Sequence, residues 1–425
     1  MSARGSSVAR LAARAWLASA LLAWGPAVTR AAAEPAPPPS LQALVDATAP
    51  FATLIPPPGH YAGPVVLRRP IQLDGRGQVT IDGGGQGSVV QIRTDDAVVR
   101  GLHLIGSGAN PDHLDAGVQV RGNRNRVEDN RIEDCLFGID LKQADDNLVR
   151  GNQIRSKAFS LGERGDGIRL WYSKRNRVLD NRVTAVRDLV VWYSLDNVFA
   201  GNRVQDSRYG LHFMYAHRNQ VRDNEFIHDS VGIFLMYSDH LDVTGNRIVG
   251  AAGPTGLGIG LKESSQVTAH GNSVAYCARG IYLDVSPYDP ETTNTFSENR
   301  IAYNGMGIVF HNDWHGNVFA GNALEGNFAQ VTVDDGSTAS HNDWQGNYWA
   351  DYQGFDRNRD GRGDAPYELY DYADKIWIEQ PEAAFFRGSP LLELIDFLDR
   401  LAPFSLPTRV LEDPAPRMRA SGSPS

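Results

Sequence analysis

The fold is decided by Gly210-Leu-His-Phe-Met-Tyr-Ala-His-Arg-Asn219-Gln-Val-Arg-Asp-Asn224-Glu-Phe-Ile-His-Asp-Ser-Val-Gly232-Ile-Phe-Leu-Met-Tyr-Ser238. A glycine leads an alternating apolar run, two asparagines follow five residues apart, and the unit then starts again. Working outward, Asn130, Asn152, Asn181, Asn202, Asn224, Asn246, Asn272, Asn299, Asn322 and Asn347 recur at intervals of 21 to 29 residues. Eight of the ten have a second asparagine five residues earlier: Asn125, Asn147, Asn176, Asn197, Asn219, Asn294, Asn317 and Asn342. Gly-led strands recur with them at Gly138, Gly167, Gly210, Gly232, Gly280 and Gly307. A period near 22 residues with short alternating strands marks a β-solenoid, because one coil buries nothing until its neighbours stack on it.

The residue types suit that geometry. In Gly-Ile-x-Leu the two aliphatic residues point inward and x points outward. Asparagine tolerates left-handed backbone angles at sharp turns, and stacked amides form ladders. A leucine-rich repeat is the rival, but its Leu-x-x-Leu-x-Leu frame is missing. The expected architecture is therefore all-β, a right-handed parallel β-helix over residues 60–350. Residues 34–59 form an N-terminal cap region that includes a short helix over Leu41–Thr48. A C-terminal extension follows over 351–402, with an Asp-rich loop and an amphipathic helix at Leu391–Leu401, and 403–425 is a Pro-rich tail, flexible or ordered on contact.

Residues 1–33 read as a secretory signal: Arg4, Arg10 and Arg14, an Ala/Leu-rich run, then Ala31-Ala32-Ala33 before Glu34. The chain carries 41 basic and 50 acidic residues; the leader holds four of the former and none of the latter, leaving a net charge of −13. That balance disfavours nucleic acid as a partner. No later segment is long and apolar enough to span a bilayer, so the chain is expected to be exported and soluble. Cys135 and Cys277 hold the same place in coils six apart, too far for a disulfide.

Aligning the strands by their leading residue puts Trp171, Trp192, Met214 and Met236 in one outer column and Tyr172, Tyr193, Tyr215 and Tyr237 in the next. His212 shares the face of Met214, and His217 and His240 lie in the turns after the two methionine strands. Thioether and imidazole donors suit Cu(I), and tryptophan faces can shield such an ion from water. The alternative is ordinary packing by gap-filling methionine. A second candidate is Phe355–Asp364, where Asp356, Asn358, Asp360 and Asp364 take the first, third, fifth and ninth places of an EF-hand-like Ca²⁺ loop and Gly361 the sixth. Tyr367 stands where the bidentate glutamate belongs, so a solvated polar turn is the alternative. His311 and His341 open a duplicated His-Asn-Asp-Trp unit whose tryptophans read as packing anchors.

The leader, the Asn-rich coils, the run Asn347-Tyr-Trp-Ala-Asp-Tyr-x-Gly-Phe-Asp-x-Asn-x-Asp-Gly-x-Gly-Asp-x-Pro-Tyr367 and the apolar helix together resemble the NosD family of periplasmic accessory proteins in nitrous oxide reductase maturation. The resemblance covers nearly the whole chain after the leader. It implies a copper-handling protein bound to the membrane subunit of an ABC transporter and its ATPase. Such a protein works with a lipoprotein copper chaperone to assemble the copper centres of nitrous oxide reductase. It does not hand over the ligand positions. The rival class is a carbohydrate-active β-helix enzyme, a hydrolase, lyase or epimerase. That chemistry needs acids clustered at a fixed separation, and Asp115, Asp140 and Asp166 are the ones that coil stacking can bring together.

Overall fold

The computed structural model describes residues 41–334, 336–371 and 408–420. The leader, the start of the expected cap region and the Leu391–Leu401 helix lie outside them. The described chain is a parallel β-helix. Each Gly-led strand lies in a single 12-stranded parallel sheet running from Val65–Leu67 to Ala329–Val333. The rest of each coil contributes two short strands to a second sheet of 24 strands. A typical coil runs through Tyr209–Met214, turns, and continues as Gln220–Arg222 and Glu225–Ile227 before the next Gly-led strand at Val231–Met236.

Inward residues stack in register, with Leu211 beside Ile233, Ile259, Ile281, Ile308 and Val331 in successive strands, all buried. Glycine leads these strands because there is no room for a side chain. A Cβ on Gly232 would lie 2.5 Å from the Ile248 side chain and 2.7 Å from the Gly258 carbonyl oxygen. At the start of the coils, Gln42 in the short helix Gln42–Ala47 uses its side-chain amide as a strand would. It accepts from the Val66 amide at 2.8 Å and donates to the Val66 carbonyl at 3.1 Å.

The asparagines act differently from the expectation. None has a left-handed backbone; the residue before takes it in every case but Asn294 and Asn342, as Asp223 (φ 55°) before Asn224 and Gly201 (φ 66°) before Asn202. Asparagine is required instead for its buried amide. The backbone N–H and Nδ2 of Asn202 both donate to Oδ1 of Asn224 at 2.9 Å, and Nδ2 also reaches the Val178 carbonyl at 2.8 Å. The pattern continues coil after coil to Asn347. There the chain beyond residue 407 completes it. Residues 408–420 fall in the tail expected to be flexible or ordered on contact, and there Thr408–Asp413 forms a strand antiparallel to Tyr367–Asp371. The fully buried Asp413 carboxylate takes the next asparagine's place, accepting from the Asn347 amide at 2.8 Å, its Nδ2 at 3.0 Å and Trp349 Nε1 at 3.2 Å.

The thiols of Cys135 and Cys277 are free and buried, and burial pushes both up to about 11. They are packing residues, as their shared coil position implied.

One corner position departs from the asparagine rule. Oδ1 of Asp229 accepts the Ser207 amide at 2.8 Å, as Asn304 and Asn327 accept the amides of Cys277 and Asn304 in later coils. Its Oδ2 is buried with no hydrogen-bond partner, and burial pushes the carboxyl up to about 8. The folded state thus keeps a proton that the unfolded chain gives up between about pH 4 and 8, and stability falls as pH rises through that window. Asp229→Asn removes this loss. Thermal melts should show a Tm gain that grows from nothing near pH 4 to about 3 °C or more at pH 8. A gain that does not change with pH would contradict the buried, protonated carboxyl.

Candidate metal centre

The outward positions of the Gly-led sheet form continuous columns. Trp171, Trp192, Met214, Met236, Lys262 and Asp284 are successive neighbours in register. Beside them Val190, His212, Phe234 and Gly260 make the adjoining column. Tyr172, Tyr193, Tyr215 and Tyr237 stack at the corner with centroid separations of 4.8, 5.3 and 5.0 Å.

The structure brings two of the expected donors into contact. His212 Nε2 lies 3.3 Å from Met236 Sδ, and Met214 is the neighbour of Met236 on the next strand. Metal distances of about 2.0 Å to imidazole nitrogen and about 2.3 Å to sulfur close a triangle on that 3.3 Å edge with roughly 100° at the ion. The pair is therefore already spaced to chelate one ion. Aromatic rings surround the imidazole. Tyr209 stacks on it at 4.7 Å, Trp192 stands perpendicular at 5.6 Å, and Phe234 lies at 6.5 Å. His212 is 8% exposed, and its Nδ1 and the nearby Trp192 Nε1 are both buried without a hydrogen-bond partner. Two buried polar atoms beside the imidazole face thus lack a protein partner, which fits a guest.

His217 and His240 are not part of this contact. The left-handed corner residue Tyr215 separates His217 from the strand Tyr209–Met214 that carries His212. His217 Nδ1 accepts the Asp239 amide at 3.1 Å and lies 3.1 Å from the Asp239 carboxylate. His240 takes the left-handed position that Asp196 and Arg218 occupy in the two preceding coils, a structural corner. Among the described residues no group of three or more His, Cys, Asp or Glu side chains is gathered as a metal cluster. That includes the Asp-rich loop, where the carboxylates accept from loop amides: Asp356 from Asp360 and Gly361, Asp360 from Arg362, and Asp364 from Arg357. The side chain of Asn358 donates to Asp360 at 3.0 Å. His311 and His341 pair with Asp334 and Asp313, and only the second tryptophan of their duplicated unit, Trp344, is in the core.

Sequence reasoning missed Tyr209 and Phe234. Phe234 was findable, since it aligns with His212 in the Gly-led register. Tyr209 was not, because a register shift at the preceding coil displaces it.

Three acids on this face pair with arginines, while Asp284 pairs with Lys262 at 2.6 Å. Asp140 pairs with Arg121 and, at 2.9 Å, Arg169; Asp166 pairs with Arg187 at 2.8 Å, and Asp188 with Arg208. Asp115 accepts the Asn110 amide instead. Burial pushes Asp166 up to about 6.

Residues 151–354 match the family described as periplasmic copper-binding protein (NosD). A curated relative from Stutzerimonas stutzeri, titled probable ABC transporter binding protein NosD, is 31% identical over 367 residues, 82% of each chain. One of the same title from Pseudomonas aeruginosa is 33% identical over 388 residues, 81% of this chain and 83% of that one. Among solved structures, the Dettilon tailspike protein gp208 aligns at 16% identity with a TM-score of 0.47, over 76% of this chain and 65% of that one.

Burial pushes His212 down to about 4, with Asp188 and Arg208 acting on it in opposite directions. The unfolded chain binds a proton below its ordinary value of 6.5 that the folded chain refuses, so stability falls as pH drops from about 6.5 to 4. His212→Phe lacks this loss. Its Tm relative to the parent should climb between pH 7 and pH 4.5, and a difference that stays constant would place the imidazole in water.

Proposed function

The chain belongs to the NosD family, and from that premise we propose that it is a periplasmic copper carrier that takes Cu(I) at His212, Met214 and Met236. It receives the ion from a lipoprotein chaperone, works with the membrane subunit and ATPase of an ABC transporter, and serves the copper centres of nitrous oxide reductase. The observation that carries this reading is the 3.3 Å approach of His212 Nε2 to Met236 Sδ, with Met214 adjacent in register. Uncharged nitrogen and thioether donors match a soft ion. His212 Nδ1 has no partner, whereas tightly held metal sites brace that nitrogen with an acceptor. A loosely braced ligand suits a protein that must release its cargo. His217 and His240 stand outside this core set.

Two observations support a carrier over a carbohydrate-active enzyme. The relatives are titled binding proteins, and Asp140, Asp166 and Asp188 are neutralised by arginine. Among the described residues no helix is long and apolar enough to cross a membrane.

Converting Met214 and Met236 to Leu conserves volume, at a cost below about 1.5 kcal/mol per site. The Met214→Leu/Met236→Leu protein should melt near the parent temperature, while Cu(I) affinity and reductase copper loading fall together. Normal loading and affinity in that variant would reduce the column to packing.

We further propose that Asp356, Asn358, Asp360 and Asp364 take Ca²⁺. Asp356 accepts the amides of the fifth and sixth loop residues, and Gly361 is left-handed (φ 84°) at the sixth place, as such a loop requires. A chelator should lower Tm by ligand linkage, and identical melts with and without it would leave only a polar turn.

A further inference from the structure

The copper reading leaves open how the site distinguishes among cations. The answer lies in what surrounds the donors. His212, Met214 and Met236 contribute no negative charge. Asp188, the register neighbour of Tyr209, is held by Arg208 and Arg187, which balance its charge. The desolvation cost of an ion rises with the square of its charge, so a dication in such a pocket costs about four times as much as a monocation. Cu(II) and Zn(II) also seek a fourth ligand, usually water or an anion.

The aromatic wall stands beside these donors. Trp192 is the register neighbour of Met214 and lies 5.6 Å from the His212 ring at 89°. Its indole N–H makes no hydrogen bond, so the ring is held by packing alone. Trp171 supports it from behind at 5.5 Å and is itself backed by the Arg169 guanidinium, 4.5 Å above the Trp171 ring. On the other side of the imidazole, Tyr209 and Phe234 stack on each other at 6.1 Å. The imidazole that these rings surround is 8% exposed.

We propose that Trp192 is the specificity-determining residue of this site, closing it to water so that it accepts soft monovalent cations, Cu(I) and Ag(I), and rejects Cu(II) and Zn(II). The proposal rests on the copper reading above. Trp192 acts by excluding a ligand and need not bind the metal.

The test uses the full chain titrated with Cu(I) against a competing chelator, and with Ag(I), Cu(II) and Zn(II) alone. The parent should bind both monovalent ions and discriminate against both divalent ones. Trp192→Ala opens the wall, and the ratio of Cu(I) to Zn(II) affinity should fall by about ten- to a hundredfold, the range seen when the shell around a metal is breached. Trp192→Phe keeps an apolar wall and should retain most of the ratio. If Trp192→Ala does not fold by circular dichroism, Trp192→Gln, which brings a polar group to the same place, gives the same comparison. An unchanged ratio in the folded open or polar variant, in a parent whose Cu(I) binding depends on His212 and the methionines, overturns the role of Trp192 and leaves the copper reading intact. A parent that shows no such dependence overturns both.

Discussion

Everything in this protein depends on a hydrogen bond between asparagines in successive coils. A parallel β-helix has no covalent or local constraint that keeps one coil in register with the next, and the backbone must break its strands at each corner. Corners bury amide groups that strands cannot satisfy, and each orphaned group costs about 1–3 kcal/mol. A buried Asn amide solves this because one oxygen accepts two N–H groups while its own nitrogen reaches back to an earlier coil, as Asn224 Oδ1 accepts twice from Asn202 and its Nδ2 donates to the Phe199 carbonyl. Aspartate cannot donate, and so serves only where the ladder stops, as Asp413 does. Where aspartate stands inside the coils, at Asp229, one oxygen is stranded.

That rigidity gives the outer face its chemistry. Registered strands place every outward side chain directly beside its counterpart in the next coil, so a two-residue choice in sequence becomes a pair of neighbours in space. Met214 and Met236 are 22 residues apart in the chain and adjacent in the sheet. The same stacking assembles the tryptophan, tyrosine and ion-pair columns. The acid–base column of Asp140, Arg169, Asp166, Arg187, Asp188 and Arg208 leads to Tyr209, whose ring lies under the Arg208 guanidinium and on His212. Neutralised charges at that end keep the histidine pocket uncharged, and burial does the rest by holding the imidazole neutral.

The surface corners follow a different economy. Asp96 with Arg124, Asp146 with Arg175 and Asp196 with Arg218 pair across coils at left-handed positions. Solvent-exposed pairs of this kind contribute little stability.

The sequence alone determined the solenoid, its period, the inward columns and the neighbours on the outer face. All of these follow from the 22-residue recurrence and the two-residue alternation, which are local in the chain. It also separated the two cysteines, since equal phase in distant coils fixes their distance. It did not determine which corner residue is left-handed, because asparagine's propensity suggested one place and the need for a buried amide placed it one residue later. Nor did it show that Asp413 closes the ladder from more than 60 residues away, or that Tyr209 stacks on the imidazole. Those depend on where the chain bends and what then covers a surface. Bends and coverage are settled by packing between segments that carry no mark of each other in the sequence.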